Sequence, residues 1–228
     1  LEQTYKNWHL IIVDDCSTDN SISVINKYKN YENITILKLK KNKGPSFCRN
    51  YAMRLSKSKY ISFIDSDDTW VNTKLEKQIF FMEKNNFTFT YTDYMPFFEN
   101  NGKKKYKNIT SIKNFFNYET FIKNSAINTT TMIIKRSILS THKFKKIELL
   151  EDYLFKCELL KNNNVAKKLN ENLAYYRILG NARSSKKLKN LYWLWQINKN
   201  YNNLNFFHNL ISILSISINS IKKYGGIK

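Results

Sequence analysis

Two short apolar runs in this chain each stop abruptly at a group of carboxylates. Trp8 to Val13 stops at Asp14-Asp15, and Tyr60 to Ile64 stops at Asp65-Ser66-Asp67-Asp68. Both runs are short, β-branched and aromatic, which predicts buried strands rather than helices. Between them lie a helical pattern from Asn20 to Tyr28, capped by Ser17 or Asp19, a strand from Ile34 to Leu39, and a helix from Ser46 to Leu55. Strand, helix, strand, helix, strand predicts a parallel α/β sheet with right-handed crossovers. In such a sheet the C-terminal strand ends share the edge where ligands bind, which brings the two acidic groups together.

A third acidic pair, Glu151-Asp152, opens a helical stretch that runs to Leu160, where the positive helix end stabilises anions. Each group alone also reads as a turn or a helix cap. Together they divide into one group for a ribose or base, one for the metal of a diphosphate, and one acting as a proton acceptor. Carboxylate oxygens are hard ligands suited to Mg²⁺ or Mn²⁺, ions that commonly hold phosphates through one or two carboxylates.

Composition excludes several other classes. The formal net charge of +20 invites a nucleic-acid reading, but Lys dominates over Arg and is spread along the chain in solvated runs such as Lys38-Leu-Lys-Lys-Asn-Lys43. No nucleic-acid partner is therefore expected, and attraction to anionic lipid ranks ahead of it. Cys16, Cys48 and Cys157 are odd in number and far apart, and His9, His142 and His208 lack ligand spacing. A disulfide frame or zinc site is not expected. With no apolar stretch long enough to span a bilayer and no signal peptide, the expectation is a cytoplasmic protein, with peripheral contact at the inner membrane face as an option.

The segments Gln3-Thr-Tyr-Lys-Asn-Trp-His-Leu-Ile-Ile-Val-Asp-Asp-Cys-Ser-Thr-Asp-Asn-Ser21, Asn42-Lys-Gly-Pro-Ser-Phe-Cys-Arg-Asn50 and Phe63-Ile-Asp-Ser-Asp-Asp-Thr-Trp70 closely resemble family 2 nucleotide-sugar glycosyltransferases of the GT-A fold. Order and spacing agree as well, and Glu151-Asp-Tyr-Leu-Phe155 is similar to the acidic motif that carries that family's catalytic base. Ala174-Tyr-Tyr-Arg-Ile178, Ser184-Ser-Lys-Lys-Leu188, Trp193-Leu-Trp-Gln196 and Ile221-Lys-Lys-Tyr224 resemble the branch that includes teichuronic acid, capsule and lipopolysaccharide transferases.

The resemblance implies a Rossmann-like, mostly parallel sheet flanked by helices over residues 1–180, with a helical extension over 181–228. It implies Asp152 as general base, with Glu151 supporting, and Asp14, Asp15 and Asp67 at the nucleotide-sugar, with Arg49 either there too or holding the acidic loops. It also implies Asp68 as direct ligand of Mn²⁺ or Mg²⁺, with Asp65 orienting the loop. The implied reaction is an inverting transfer from a nucleotide-diphosphate donor, UDP-sugar first, to a hydroxyl of a cell-surface glycan or lipid-linked acceptor. One departure is that the family's first strand and following helix have no counterpart before Gln3, so an N-terminally incomplete, catalytically impaired domain is an alternative.

A phospho-receiver module is a further alternative, with Thr131 and Lys135 in its accessory roles, although it has no use for Asp67 with Asp68 or for Glu151-Asp152. In the tail, Phe207, Leu210, Ile211, Leu214, Ile218 and Ile221 share one helical face. That face predicts contact through 203–224 with a membrane interface, with the catalytic domain, or with a second subunit in a homo-oligomer.

Overall fold

The computed structural model describes residues 1–100, 102–107, 113–139, 141–179 and 187–224. Ser184 to Lys186 of the tail motifs lie outside them. Strand β1 (Leu10–Asp14) pairs in parallel with β2 (Ile34–Lys38), from Leu10 opposite Ile34 to Asp14 opposite Lys38. Helix α1 (Ser21–Asn26) makes the crossover, and the Ser21 N–H donates to the Asp19 carboxylate at its start. Helix α2 (Pro45–Leu55) begins with Pro in its first turn, behind Gly44 at φ 83°. Glycine tolerates that left-handed backbone, and proline has no N–H to leave unpaired in the first turn.

The second sheet is larger and mixed. Strands β3 (Tyr60–Ser62), β4 (Thr69–Trp70), β5 (Phe89–Asn100), β8 (Ile133–Lys135) and β9 (Ala166–Arg177) run in the order β3-β8-β5-β9-β4. Two short strands extend it: β6 (Lys103–Tyr106) pairs with β5, and β7 (Phe115–Phe116) with β9. Within this sheet β5 and β9 run parallel and the other pairs are antiparallel. The expected parallel alternation thus describes β1 and β2, while β3 joins the mixed sheet through β8.

Helices α3 (Lys74–Lys84), α4 (Tyr118–Phe121), α5 (Glu151–Leu160), α6 (Lys187–Asn200) and α7 (Phe206–Tyr224) complete the chain. The N-terminal segment docks on α3, where Gln3 accepts from the Leu75 N–H at 3.0 Å and donates to the Val71 carbonyl at 2.8 Å. That satisfies one of the unpaired donors at a helix start. Thr129–Thr131 forms a 3-10 turn directly ahead of β8. The turn is fixed by Asn128, whose side chain accepts from the Thr130 N–H.

An aromatic stack sets the relation between β3 and α5. Phe144 stacks on Phe155 at 3.9 Å between centroids, and Phe63 meets Phe144 edge-on at 5.4 Å. Burying each ring stabilises the fold by roughly 1.5–3 kcal/mol. Phe63 stands two residues before Asp65, and Phe155 three after Asp152. The stack therefore lies under both acidic groups and holds them at one place.

Candidate active site

Arg49, near the middle of α2, joins the acidic groups. Its guanidinium donates to Asp65 at 2.7 Å and to Glu151 at 3.2 Å, and lies over the Phe144 ring. Burial opposes its charge, but Asp65, Asp152 and Glu151 outweigh burial and raise its pKa. The end of β3 and the start of α5 are thereby tied through one cation. A bidentate guanidinium fixes geometry as well as charge in a way a lysine would not.

The first acidic group is drawn into its own loop. Asp14 is buried and accepts from the Ser17 N–H at 3.2 Å. Asp15 accepts from the N–H groups of Lys43 at 2.7 Å and Gly44 at 2.8 Å. Both Asp15 oxygens thus bind backbone, so this residue shapes the loop that opens α2.

In the second group, neighbours have opposite environments. Asp68 is 6% exposed; one oxygen accepts from the Thr130 hydroxyl and the other from the Arg177 N–H at 3.0 Å. Burial pushes its carboxyl up to about 6 against those two donors, with Asp65 and Asp67 adding to the rise. Asp67 is half-buried, and among the described residues none donates a hydrogen bond to its carboxylate. Asp68, the ligand implied by resemblance, is thus the carboxylate already engaged by protein donors. Among the described residues no three His, Cys, Asp or Glu side chains form a metal cage. A hard oxygen donor without a protein partner at Asp67, next to Asp65, fits a divalent ion that takes its remaining ligands from a diphosphate.

The third group sits on α5, whose preceding residue Leu150 has φ 63°. For a branched non-glycine residue this backbone is costly, of order 1–3 kcal/mol, and it lies directly before Glu151-Asp152. Asp152 accepts from the Lys156 ammonium at 2.7 Å and from the Thr129 hydroxyl at 3.1 Å. Burial pushes its carboxyl up, but the Lys156 charge and hydrogen bond, with Arg49 and Thr129, hold it at about 2. Lys156 itself is buried and also donates to the Ile127 carbonyl at 2.8 Å.

Four contributors escaped the sequence reading. Thr129 and Thr130 are consecutive, yet one hydroxyl holds Asp152 and the next holds Asp68. Arg177 ends β9, donates its Nε–H to the Asp67 carbonyl at 3.2 Å, and pairs with Glu99 at 2.8 Å. Lys156 was visible as the i+4 partner of Asp152, a spacing that places two side chains on one helical face. Thr131, cast in the receiver alternative, instead donates to the Asn128 carbonyl, and Lys135 lies on β8 opposite Tyr60.

Comparison with known proteins gives the family and the fold. The domain profile described as Glycosyl transferase family 2 matches residues 1–147. TuaG of Bacillus subtilis (strain 168), named for teichuronic acid biosynthesis, is 32% identical across 98% of this chain and 88% of its own length. The Escherichia coli UDP-Glc:alpha-D-GlcNAc-diphosphoundecaprenol beta-1,3-glucosyltransferase WfaP is 33% identical across 98% of this chain and 86% of its own. The crystal structure of S. aureus TarS 1–349 in complex with UDP-GlcNAc superposes with a TM-score of 0.71 at 19% identity, over 96% of this chain and 66% of that one. The fold is that of the GT-A glycosyltransferases. This chain belongs to glycosyl transferase family 2.

Proposed function

We propose that this chain transfers a sugar from a nucleotide-diphosphate donor, UDP-sugar first, to a hydroxyl of a lipid-linked or cell-surface glycan, with inversion. The single observation that carries the reading is the Arg49 bridge, which sets the Asp65–Asp68 loop beside the Asp152 carboxylate. Relatives named for teichuronic acid biosynthesis and for a diphosphoundecaprenol acceptor support the acceptor class.

Asp152 is the general base in this scheme. It takes the acceptor proton as that oxygen bonds to the anomeric carbon and the bond to the nucleotide diphosphate breaks. A carboxyl held at about 2 is ionised throughout the working range. Its weak basicity suits a transfer in which the hydroxyl becomes acidic only as the new bond forms. Lys156 and Thr129 are positioning residues that hold the carboxylate in one orientation.

Asp67, with Asp65 beside it, is the better candidate than Asp68 to hold Mn²⁺ or Mg²⁺. When bound, the ion supplies neutralisation of charge on the leaving diphosphate. Asp68 then anchors the loop through Thr130 and Arg177. Asp14 and Asp15 form the donor side, Asp15 acting through the Lys43-Gly44 backbone it holds. Residues 1–180 carry the transferase site and 181–228 the extension.

The deciding experiment is a donor screen with UDP- and GDP-sugars and a polyprenyl-diphosphate glycan acceptor, repeated with Asp152→Asn. Transfer with a UDP-sugar that the substitution abolishes is expected. Full transfer by Asp152→Asn would remove the base assignment, and absence of donor binding in the presence of Mn²⁺ would remove the reading.

A further inference from the structure

Helix α7 turns a largely polar row of side chains to the protein. Asn209 and Ser212 are buried, Asn198 of α6 donates to both, and Ser212 donates to the Ile122 carbonyl, while Ile213 and Ile216 pack part-buried against the core beside them. Further along the same face Asn219 donates to the Lys123 carbonyl at 3.0 Å, and Lys223 to the Ala126 carbonyl at 3.3 Å. The opposite face carries Phe207 (73% exposed), Leu210, Leu214, Ile218 and Ile221 (69%). Packing on the catalytic domain, one expectation for this stripe, is therefore not what α7 does with it.

The stripe continues onto α6. Trp195 meets Phe206 edge-on at 5.5 Å, Phe206 meets Phe207 at 5.7 Å, and Leu188 and Tyr192 stand exposed on the Trp195 side of α6. A contiguous apolar patch of this kind marks an interaction site rather than scattered surface apolarity. Charge says what covers it. Between Asn172 and Lys228 the chain has no Asp or Glu, while Lys187, Lys199 and Lys222 accompany the two helices, within a molecule of net charge +20. A second copy would bring like charge against like. A negatively charged lipid surface brings the opposite sign and accepts aromatic and aliphatic side chains just below its headgroups. Among the described residues no helix is long and apolar enough to cross a membrane, so the contact is with a surface and not a span.

We infer that the exposed apolar side of α6 and α7 docks this protein on an anionic phospholipid surface. The polar inner face holds α7 to the catalytic domain by hydrogen bonds, which leaves its apolar side available without unfolding. The docking stands independently of the transferase reading, although a lipid-linked acceptor of the kind proposed above would lie in the same surface.

The test is flotation of the full chain with vesicles of neutral phosphatidylcholine, and with vesicles in which about a third is replaced by phosphatidylglycerol. The protein is expected to float with the anionic vesicles, with partitioning about tenfold weaker on neutral ones. Leu214→Glu with Ile218→Glu is expected to lower partitioning by about tenfold or more while UDP binding and circular dichroism stay unchanged. The wild type failing to float, the double variant floating equally, or equal binding to both lipids would each overturn the inference. Concentration-dependent dimerisation that the same substitutions abolish, without vesicle binding, would assign the stripe to a second copy and overturn it as well. Unchanged UDP binding in the variant separates this failure from failure of the transferase reading.

Discussion

Helices α5 and α7 both invert the usual distribution of side chains, and in opposite senses. In α5 the charged residues Glu151 and Lys156 are buried among aromatic and aliphatic neighbours. In α7 Phe207, Leu210, Leu214, Ile218 and Ile221 face outward while Asn209, Ser212 and Asn219 face in, beside Ile213 and Ile216, which pack on the core. Burying a charge is tolerated when partners compensate it, and Lys156 has a carboxylate, a carbonyl and a hydroxyl around its ammonium. Exposing apolar side chains needs no such compensation within the fold, since it costs nothing that folding must recover. The lesson is that α5 is held by its inversion and α7 is not, so the same kind of substitution has unequal consequences in the two.

The largest effect is expected at the α5 start. Asp152→Asn should lower kcat by about a hundredfold to ten-thousandfold in the transferase assay, with circular dichroism unchanged. Next is Lys156→Met, which removes the buried partner of a carboxylate that is itself 35% exposed and should cost about 1.5–3 kcal/mol in denaturant unfolding. The same variant alters pH behaviour. Because the wild-type Asp152 carboxyl is held at about 2, its contribution to stability is present above the ordinary value of 3.8 and is lost as pH falls through about 2. Without the Lys156 ammonium, burial has less to oppose it, so both the acid unfolding midpoint and the acid limb of the rate profile should move to higher pH.

A smaller effect is expected for Thr130→Val, which leaves Asp68 with one donor fewer in a buried setting. Calorimetry should register about 1–2 kcal/mol of lost stability. Smallest is Leu214→Glu on α7, which should change unfolding free energy by no more than about 0.5 kcal/mol. A loss of several kcal/mol at Leu214 would break the contrast between the helices, because it would mean that the outward stripe is part of the fold's own packing.

Legibility followed the range of the interactions. Asp14-Asp15 and Asp65 to Asp68 were readable because each ends a local hydrophobic pattern, and Glu151-Asp152 because it opens one. The helical face from Phe207 to Ile221 was readable from periodicity, and its helix is Phe206–Tyr224. What separates Asp67 from Asp68 was not readable, since it depends on Thr130 and Arg177, which are 62 and 109 residues away along the chain. Likewise Thr129–Thr131 looks like a strand by β-propensity, and only the Asn128 side chain and the tertiary contacts turn it. The mixed pairing of the larger sheet was hidden for the same reason: β9 is polar along much of its length, and its partners β4, β5 and β7 come from three separate stretches of chain.

The paired hydroxyls of Thr129 and Thr130 act as a ruler. Consecutive α-carbons across a trans peptide are separated by about 3.8 Å, a distance that no loop rearrangement can stretch. With one threonine holding Asp152 and the next holding the Asp68 anchor, the two carboxylates are tied to neighbouring residues of one short turn. Paired replacement of the two threonines should be strongly non-additive, because removing either end already takes away the scale.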